Sequence, residues 1–94
     1  MKIEYDPIKS DKNDSERGLP FCMAADFEWD TAVYIIDDRR NYGETRRIRA
    51  FGFINERLHS LAFTPIEGGV RIISLRRANQ REVRNYEKTK TGIN

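Results

Sequence analysis

The stretch RIISLRRANQREVRNYEK, residues 71–88, carries the end of a strand directly into the start of a helix. Ile72 and Ile73 are adjacent, so both faces of this strand are apolar, as in strands that are covered on two sides. Asn79 and Glu82 have the spacing of a capping box, in which each side chain accepts a hydrogen bond from the backbone amide of the other residue. The stretch therefore predicts a buried last strand over residues 70–77 and a helix over residues 80–88.

Upstream of this strand, short β-branched and aromatic segments predict an antiparallel meander. They occupy residues 32–38, 45–54 and 58–64, and the connections between them are short and rich in Asn, Gly or Pro. Residues 2–5 alternate polar and apolar side chains and predict a further short edge strand.

Two helices are predicted between the first strand and the meander. Asp6 is a suitable N-cap, Pro7 suits the first helical position and Gly18 suits the end of the helix. Residues 20–29, PFCMAADFEW, have apolar side chains close to helical spacing. The element order β-α-α-β-β-β-β-α predicts an α+β fold, a small antiparallel sheet (meander) with two N-terminal helices and a C-terminal helix.

Composition suits one domain spanning residues 1–94, with a tail from about residue 89 that is expected to fray. The single cysteine, Cys22, rules out an internal disulfide and is expected to be a small core residue. The sequence has neither a signal-peptide pattern nor an apolar run of membrane-spanning length, so a cytoplasmic protein without membrane contact is expected.

Charge is distributed unevenly along the chain. Residues 1–40 contain ten acids and six bases, whereas residues 41–94 contain five acids and eleven bases, nine of them arginine. Arginine presents a planar fork that binds phosphate through two contacts. An arginine-rich half points to a polyanion such as nucleic acid, although a merely solubilising surface explains the same composition.

No metal or cofactor site is predicted. The chain has one histidine, His59, which lies within an apolar strand and is expected to be a core or edge residue. The pair Gly68-Gly69 lacks the lysine and the following helix of a phosphate-binding loop.

The candidate functional residues are therefore arginines and a few acids. On the last strand, strict alternation places Ser74 and Arg76 on one face and Arg71, Leu75 and Arg77 on the other. Arg76 and Arg77 also lie near the N-terminus of the last helix, where backbone amides favour an anion.

A second group lies at the start of a meander strand and contains Glu44, Arg46 and Arg49. Glu44 is a candidate general base, and Arg46 is a candidate partner for it or for phosphate. Such groups suit metal-free RNA cleavage in which a base deprotonates a 2′-hydroxyl, that oxygen attacks the adjacent phosphorus, and arginines stabilise the developing charge. An acid must then protonate the leaving 5′-oxygen. An exposed strand end with ordinary salt bridges remains the alternative.

Four segments carry a family resemblance: EYDPIKSDKN, GLPFCMAADFEWD, YGETRRIRAFGFI and VRIISLRRANQREVRNYE. Through them the chain resembles the BrnT family of ribonuclease toxins from bacterial type II toxin–antitoxin pairs. Glu44 and Arg46 match the meander motif, and Ser74, Arg76 and Arg77 match the terminal-strand motif.

The resemblance implies a RelE-like microbial ribonuclease fold, cleavage of cellular RNA, and neutralisation by a cognate ribbon-helix-helix (BrnA-like) antitoxin. It also implies that the complex of the two proteins represses its own promoter, so that operator DNA is contacted only through the antitoxin. The catalytic set expected here is Glu44, Arg46, Arg76 and Arg77, with Arg17, Arg49 and Ser74 as RNA contacts.

The chain departs from the family pattern at two places. Glu16-Arg17 stands where a lysine-histidine pair is usual, and Pro65 follows Thr64 where an acid is usual. Arginine binds phosphate but does not exchange protons near neutral pH. A weakened or inactive toxin-fold protein that only binds RNA or the antitoxin is therefore the alternative function.

Overall fold

The elements of the protein follow the predicted order closely. The computed structural model of the chain describes residues 1–37 and 46–92. Its strands and helices are β1 (Lys2–Glu4), α1 (Pro7–Arg17), β2 (Val33–Asp37), β3 (Arg47–Ile54), β4 (Arg57–Ile66), β5 (Gly69–Arg77) and α2 (Gln80–Thr91). Two short 3-10 segments, Phe21–Asp26 and Trp29–Thr31, connect α1 to β2.

The sheet is mixed, so the prediction of an antiparallel sheet is correct only for four of its strands. The strand order is β1-β5-β4-β3-β2, and β2 to β5 form the antiparallel meander. β1, however, pairs with β5 in parallel. The parallel pair is close-packed at Gly69, where an added Cβ would run into the backbone of Lys2.

The central strand is β4, and it is more completely buried than β5, the strand that was predicted to be buried. Every residue from Leu58 to Phe63 is buried, because β4 has a neighbouring strand on each side and is covered on both faces. His59 belongs to this buried run, which agrees with its prediction as a core or edge residue. The strand also continues through Pro65 to Ile66, two residues beyond its predicted end.

The segment predicted as a second helix is a 3-10 helix, and this changes which side chains it buries. A 3-10 helix has about three residues per turn. Phe21, Ala24 and Phe27 recur at that interval and are all buried against the sheet. Cys22 consequently faces solvent, so its prediction as a core residue is wrong.

Helix α1 has the predicted ends and is anchored by buried polar contacts. Asp6 accepts a hydrogen bond from the Ile8 amide at 2.9 Å, and Gly18 ends the helix at a φ of 69°. Asn13 Nδ2 donates to the carbonyl oxygens of Leu19 at 2.7 Å and Leu75 at 2.9 Å. These bonds hold a helix with almost no apolar face over one face of the sheet.

A bulge in β5 changes the alternation that the sequence suggests. Ile72 and Ser74 pair with consecutive residues of β4, which leaves Ile73 as an extra residue. Arg71 and Ser74 therefore lie on the same face, together with Arg76. The prediction that Arg71 shares its face with Arg77 is wrong, because strict alternation is interrupted at Ile73.

Helix α2 begins as predicted but is longer. Both halves of the capping box between Asn79 and Glu82 are present. The helix continues to Thr91 and is followed by Gly92 at a φ of 72°. The helix therefore includes residues 89–91, the first part of the predicted tail. Of the helices that the structure describes, none has the length and apolar character needed to cross a membrane.

Candidate functional site

The sheet has two unequal faces. One is covered by α1 and the 3-10 segments and forms the core; the other is covered only in part, by α2. Tyr86 holds α2 in place through an edge-on contact with the ring of Phe53, with centroids 5.4 Å apart, and through a hydrogen bond from its hydroxyl to the Thr31 carbonyl at 3.0 Å. Between α2 and strands β2 and β3 a cleft remains open.

A two-point ion pair lies inside this cleft. Arg76 Nη1 and Nη2 donate to Glu82 Oε1 and Oε2 at 2.8 and 2.9 Å. The hydrogen bond from Arg76 holds the pKa of Glu82 below its usual value, and the same bond raises the pKa of Arg76. Glu82 Oε1 also accepts the Asn79 amide at 3.0 Å, so the carboxylate fixes both the arginine and the start of α2.

Arg49 supplies a second guanidinium to the cleft. Its Nη1 donates to Ser60 Oγ at 2.6 Å, and Ser60 is completely buried. Arg49 adds to the electrostatic effects that lower the pKa of Glu82, after the larger contribution of Arg76. Arg49, Arg76 and Glu82 line one cavity of about 480 Å³, whose other walls are apolar residues of β2 and β3 and the carboxylate-bearing Asp37.

Two further charged residues on this face were missed by the sequence reasoning. Asp37 and Arg47 occupy paired positions on β2 and β3, in register with the neighbouring pair Ile35 and Arg49. The sequence did contain a signal for Arg47: it alternates with apolar residues together with Arg49, which places both arginines on one face of a strand.

The predicted junction arginines lie on opposite faces of the sheet. Arg76 is in the cleft and pairs with Ser60 in the sheet register, whereas Arg77 pairs with His59 on the other side. Arg77 Nη1 donates to the carbonyl oxygen of Arg17 at 3.2 Å, so these two predicted residues lie together at the end of α1.

His59 adds no accessible base to either face. Its Nδ1 lies 2.7 Å from the Arg57 carbonyl oxygen, and the ring is buried. Burial lowers the pKa of His59, and the positive charge of Arg77 lowers it further.

The remaining predicted residues divide as follows. Ser74 is on the face of Arg76, as predicted. Arg46 is exposed and immediately precedes β3, so it does not belong to the set of alternating positions that contains Arg47 and Arg49. Glu44 lies outside the described residues.

Comparison with known proteins agrees with the resemblance. A family model described as the ribonuclease toxin BrnT of type II toxin–antitoxin systems matches residues 5–82. Neither the curated proteins nor the solved structures contain a match to the chain. The matched range begins directly after β1, ends within α2 and includes Arg49, Arg76 and Glu82. The chain therefore belongs to the BrnT family of type II toxin–antitoxin ribonuclease toxins.

Proposed function

We propose that this protein is an endoribonuclease toxin that cleaves cellular RNA without a metal ion, on the RelE-like fold that its family resemblance implies. The cleft between α2 and strands β2 and β3 is its active site. The observation that carries the proposal is the pair of guanidinium groups, of Arg76 and Arg49, which are each held by a hydrogen bond and both line one open cavity.

The arginine pair suits a phosphate that gains charge during reaction. Arginine has five N–H donors, and the pairing with Glu82 uses only part of those of Arg76. When a 2′-hydroxyl gives up its proton and attacks phosphorus, negative charge grows on the phosphate oxygens. The bond from phosphorus to the 5′-oxygen then breaks, which leaves a 2′,3′-cyclic phosphate and a 5′-oxygen that takes up a proton. Guanidinium groups that are held in place before the reaction stabilise that charge without having to reorganise.

Glu82 is proposed to position Arg76 and not to transfer protons. Its pKa is lowered by Arg76, so the carboxylate is a weaker base than an ordinary glutamate. The general base in this proposal is Glu44, with Arg46 as its partner, on the strength of the family motif. Ser74 is a proposed RNA contact in the cleft.

Arg77 and Arg17 are proposed to contact RNA outside the cleft. They lie next to each other on the opposite face of the sheet from Arg76, which separates them from the cavity. Their role is therefore to hold the RNA backbone, and Arg77 is not expected to touch the reacting phosphate.

A cognate ribbon-helix-helix antitoxin is proposed to neutralise the toxin and to repress the shared promoter together with it, in the cytoplasm. The exposed acids Asp26, Glu28 and Asp30, around the 3-10 segments, supply a surface for basic side chains of that partner. Operator DNA would be contacted through the antitoxin.

The test is cleavage of a single-stranded RNA by the purified protein, with and without chelator. We expect cleavage that survives chelator, is stopped by the antitoxin, and falls about 100-fold or more in Arg76→Ala, as for the loss of one transition-state donor. Arg76→Lys is also expected to be strongly impaired, because lysine cannot make the two-point contact with Glu82. Arg84→Ala is the control, since Arg84 is exposed on α2 outside the cavity.

Each part of the proposal has an outcome that contradicts it. RNA binding without cleavage would identify a binding module. Cleavage lost on chelation would contradict metal independence. Wild-type cleavage by a folded Arg76→Ala variant would place the active site elsewhere.

A further inference from the structure

A second cavity adjoins the arginine cavity along α2. It has a volume of about 390 Å³, and both cavities are bordered by Ile35, Phe51 and Glu82. Glu82 borders the second cavity and also holds Arg76. A group bound in the second cavity would therefore lie next to the proposed phosphate position. The two cavities thus form one continuous groove.

The second cavity has an apolar floor. Val33 and Ile35 of β2, Phe51 of β3 and Tyr86 of α2 supply it. RNA-binding proteins that recognise sequence place unstacked bases against aromatic and apolar side chains of this kind. A volume of this size lies within the range of small-ligand pockets and accommodates a nucleobase.

The rim of the cavity is polar and belongs to α2. Arg81 and Asn85 are one helical turn apart and both border the cavity. Within residues 1–37 and 46–92, neither side chain makes a hydrogen bond or an ion pair. Their donors, and the acceptor of the asparagine amide, are therefore available to a ligand.

We propose that this cavity binds a purine base of the RNA, next to the phosphate held by Arg76 and Arg49. Arginine pairs in two-point fashion with guanine, and asparagine pairs in the same way with adenine. Both side chains therefore favour the edge of a purine, whereas the apolar floor accepts the face of any base. This assignment rests on the proposed function, because it takes RNA as the occupant of the cleft.

The test measures binding without chemistry. Pentamers with 2′-O-methyl sugars lack the attacking hydroxyl, and they carry one varied base among four uridines. Affinities are compared by fluorescence anisotropy at one fixed salt concentration, because the affinity that comes from phosphate contacts falls as the salt concentration rises. We expect the adenine or the guanine pentamer to bind about fivefold more tightly than the all-uridine pentamer, as one good base contact provides.

The variants assign that preference to the cavity. The double variant of Arg81→Ala and Asn85→Ala is expected to bind all pentamers within about twofold of one another, the preference having been lost with the base contacts. Arg84→Ala, on the same helix but outside the cavity, is expected to keep the preference. Equal binding of all pentamers by the wild type, a pyrimidine preference, or a purine preference that persists in the double variant would each overturn the proposal.

The outcome is independent of the cleavage assay. A purine preference that depends on Arg81 and Asn85, in a protein that cleaves no RNA, would reject the proposed enzyme and retain the pocket. Cleavage dependent on Arg76 without any base preference would do the reverse. Absence of measurable binding to every pentamer would also overturn the pocket, whatever the cleavage result.

Discussion

Arg76 and Glu82 contribute to both the stability of the protein and its proposed activity. Their ion pair joins the last strand to the last helix and also fixes one guanidinium in the cleft. The sequence made Glu82 recognisable as a capping residue and Arg76 as a candidate phosphate ligand. Their mutual contact was not predictable, because it depends on how the chain turns at Ala78 and Asn79 between the two elements.

Glu82→Gln tests the charge of this pair. Glutamine preserves the capping position, so the substitution mainly removes the negative charge. We expect the variant to lose about 1–3 kcal/mol of unfolding free energy at neutral pH, in line with hydrogen bonds between charged groups. The measurement is urea unfolding at a series of pH values.

The pH dependence follows from the lowered pKa of Glu82, whose main cause is the hydrogen bond from Arg76. In the unfolded chain the carboxyl titrates near the ordinary glutamate value of about 4.3. The stabilisation is therefore complete above that pH and is lost as the pH falls through the lower pKa of the folded state. Wild type and variant should converge in acid. Glu87→Gln is the control, because Glu87 is exposed on the same helix; its unfolding free energy should differ little from that of the wild type. A difference in unfolding free energy between wild type and Glu82→Gln that stays constant with pH would contradict the explanation.

At the scale of elements, the hairpin between β3 and β4 has an unusual turn. Ile54 and Arg57 are paired, so only Asn55 and Glu56 form the loop, with φ values of 49° and 68°. A two-residue turn with both φ values positive matches the twist of the flanking strands and favours Asn-Gly. Glu56 is therefore held in a conformation that costs an L-residue energy.

Glu56→Gly is expected to raise the unfolding free energy by about 0.5–1 kcal/mol, because glycine adopts a positive φ without a Cβ clash. Chemical denaturation measures the change. Glu67→Gly provides the control in the next hairpin, since Glu67 does not have a positive φ and glycine there adds only unfolded-state entropy. If Glu56→Gly is no more stable than Glu67→Gly, the backbone at Glu56 is not strained.

Element types were predictable to the extent that local signals determined them. Capping residues located both ends of α1 and the start of α2, and β-branched runs located the meander. The 3-10 conformation around Phe21 and the bulge at Ile73 were not predictable, because the first depends on packing against the sheet and the second on the pairing of β5 with β4. The bulge mattered most, since it decides which side of the sheet Arg71 occupies.

At the scale of the whole molecule, the pairing of β1 with β5 was the least predictable feature. The first strand has three residues, and its partner is the last strand of the chain, so no local pattern announces the contact. For the same reason, no sequence pattern indicated that Arg49 and Arg76 would border one cavity. That proximity follows from β4 lying between β3 and β5.

Helix α2 is expected to open without unfolding of the sheet. Tyr86 is its one buried residue among those described, whereas β4 is buried along most of its length. Regions with few buried contacts open at lower free energy than the core. In hydrogen-exchange mass spectrometry we expect amides of α2 to exchange about tenfold or more faster than those of β4.

A matched variant makes this measurement specific. Tyr86→Phe removes the hydrogen bond to Thr31 while keeping the ring, so it should speed exchange in α2 and leave β4 unchanged. If α2 and β4 instead exchange at a single common rate, the helix and the sheet unfold together and the expectation is wrong.

The order of elements along the chain has a consequence for synthesis. Both walls of the cleft are needed for its shape, and the wall with Glu82 and Tyr86 follows all five strands. Domains emerge from the ribosome N-terminus first, at about 5–20 residues per second. A nascent chain can therefore pair its strands before Arg76 has a carboxylate to hold it. The cleft is completed only when α2 has left the exit tunnel, so the chain acquires its proposed toxic geometry after its whole sheet has been synthesised.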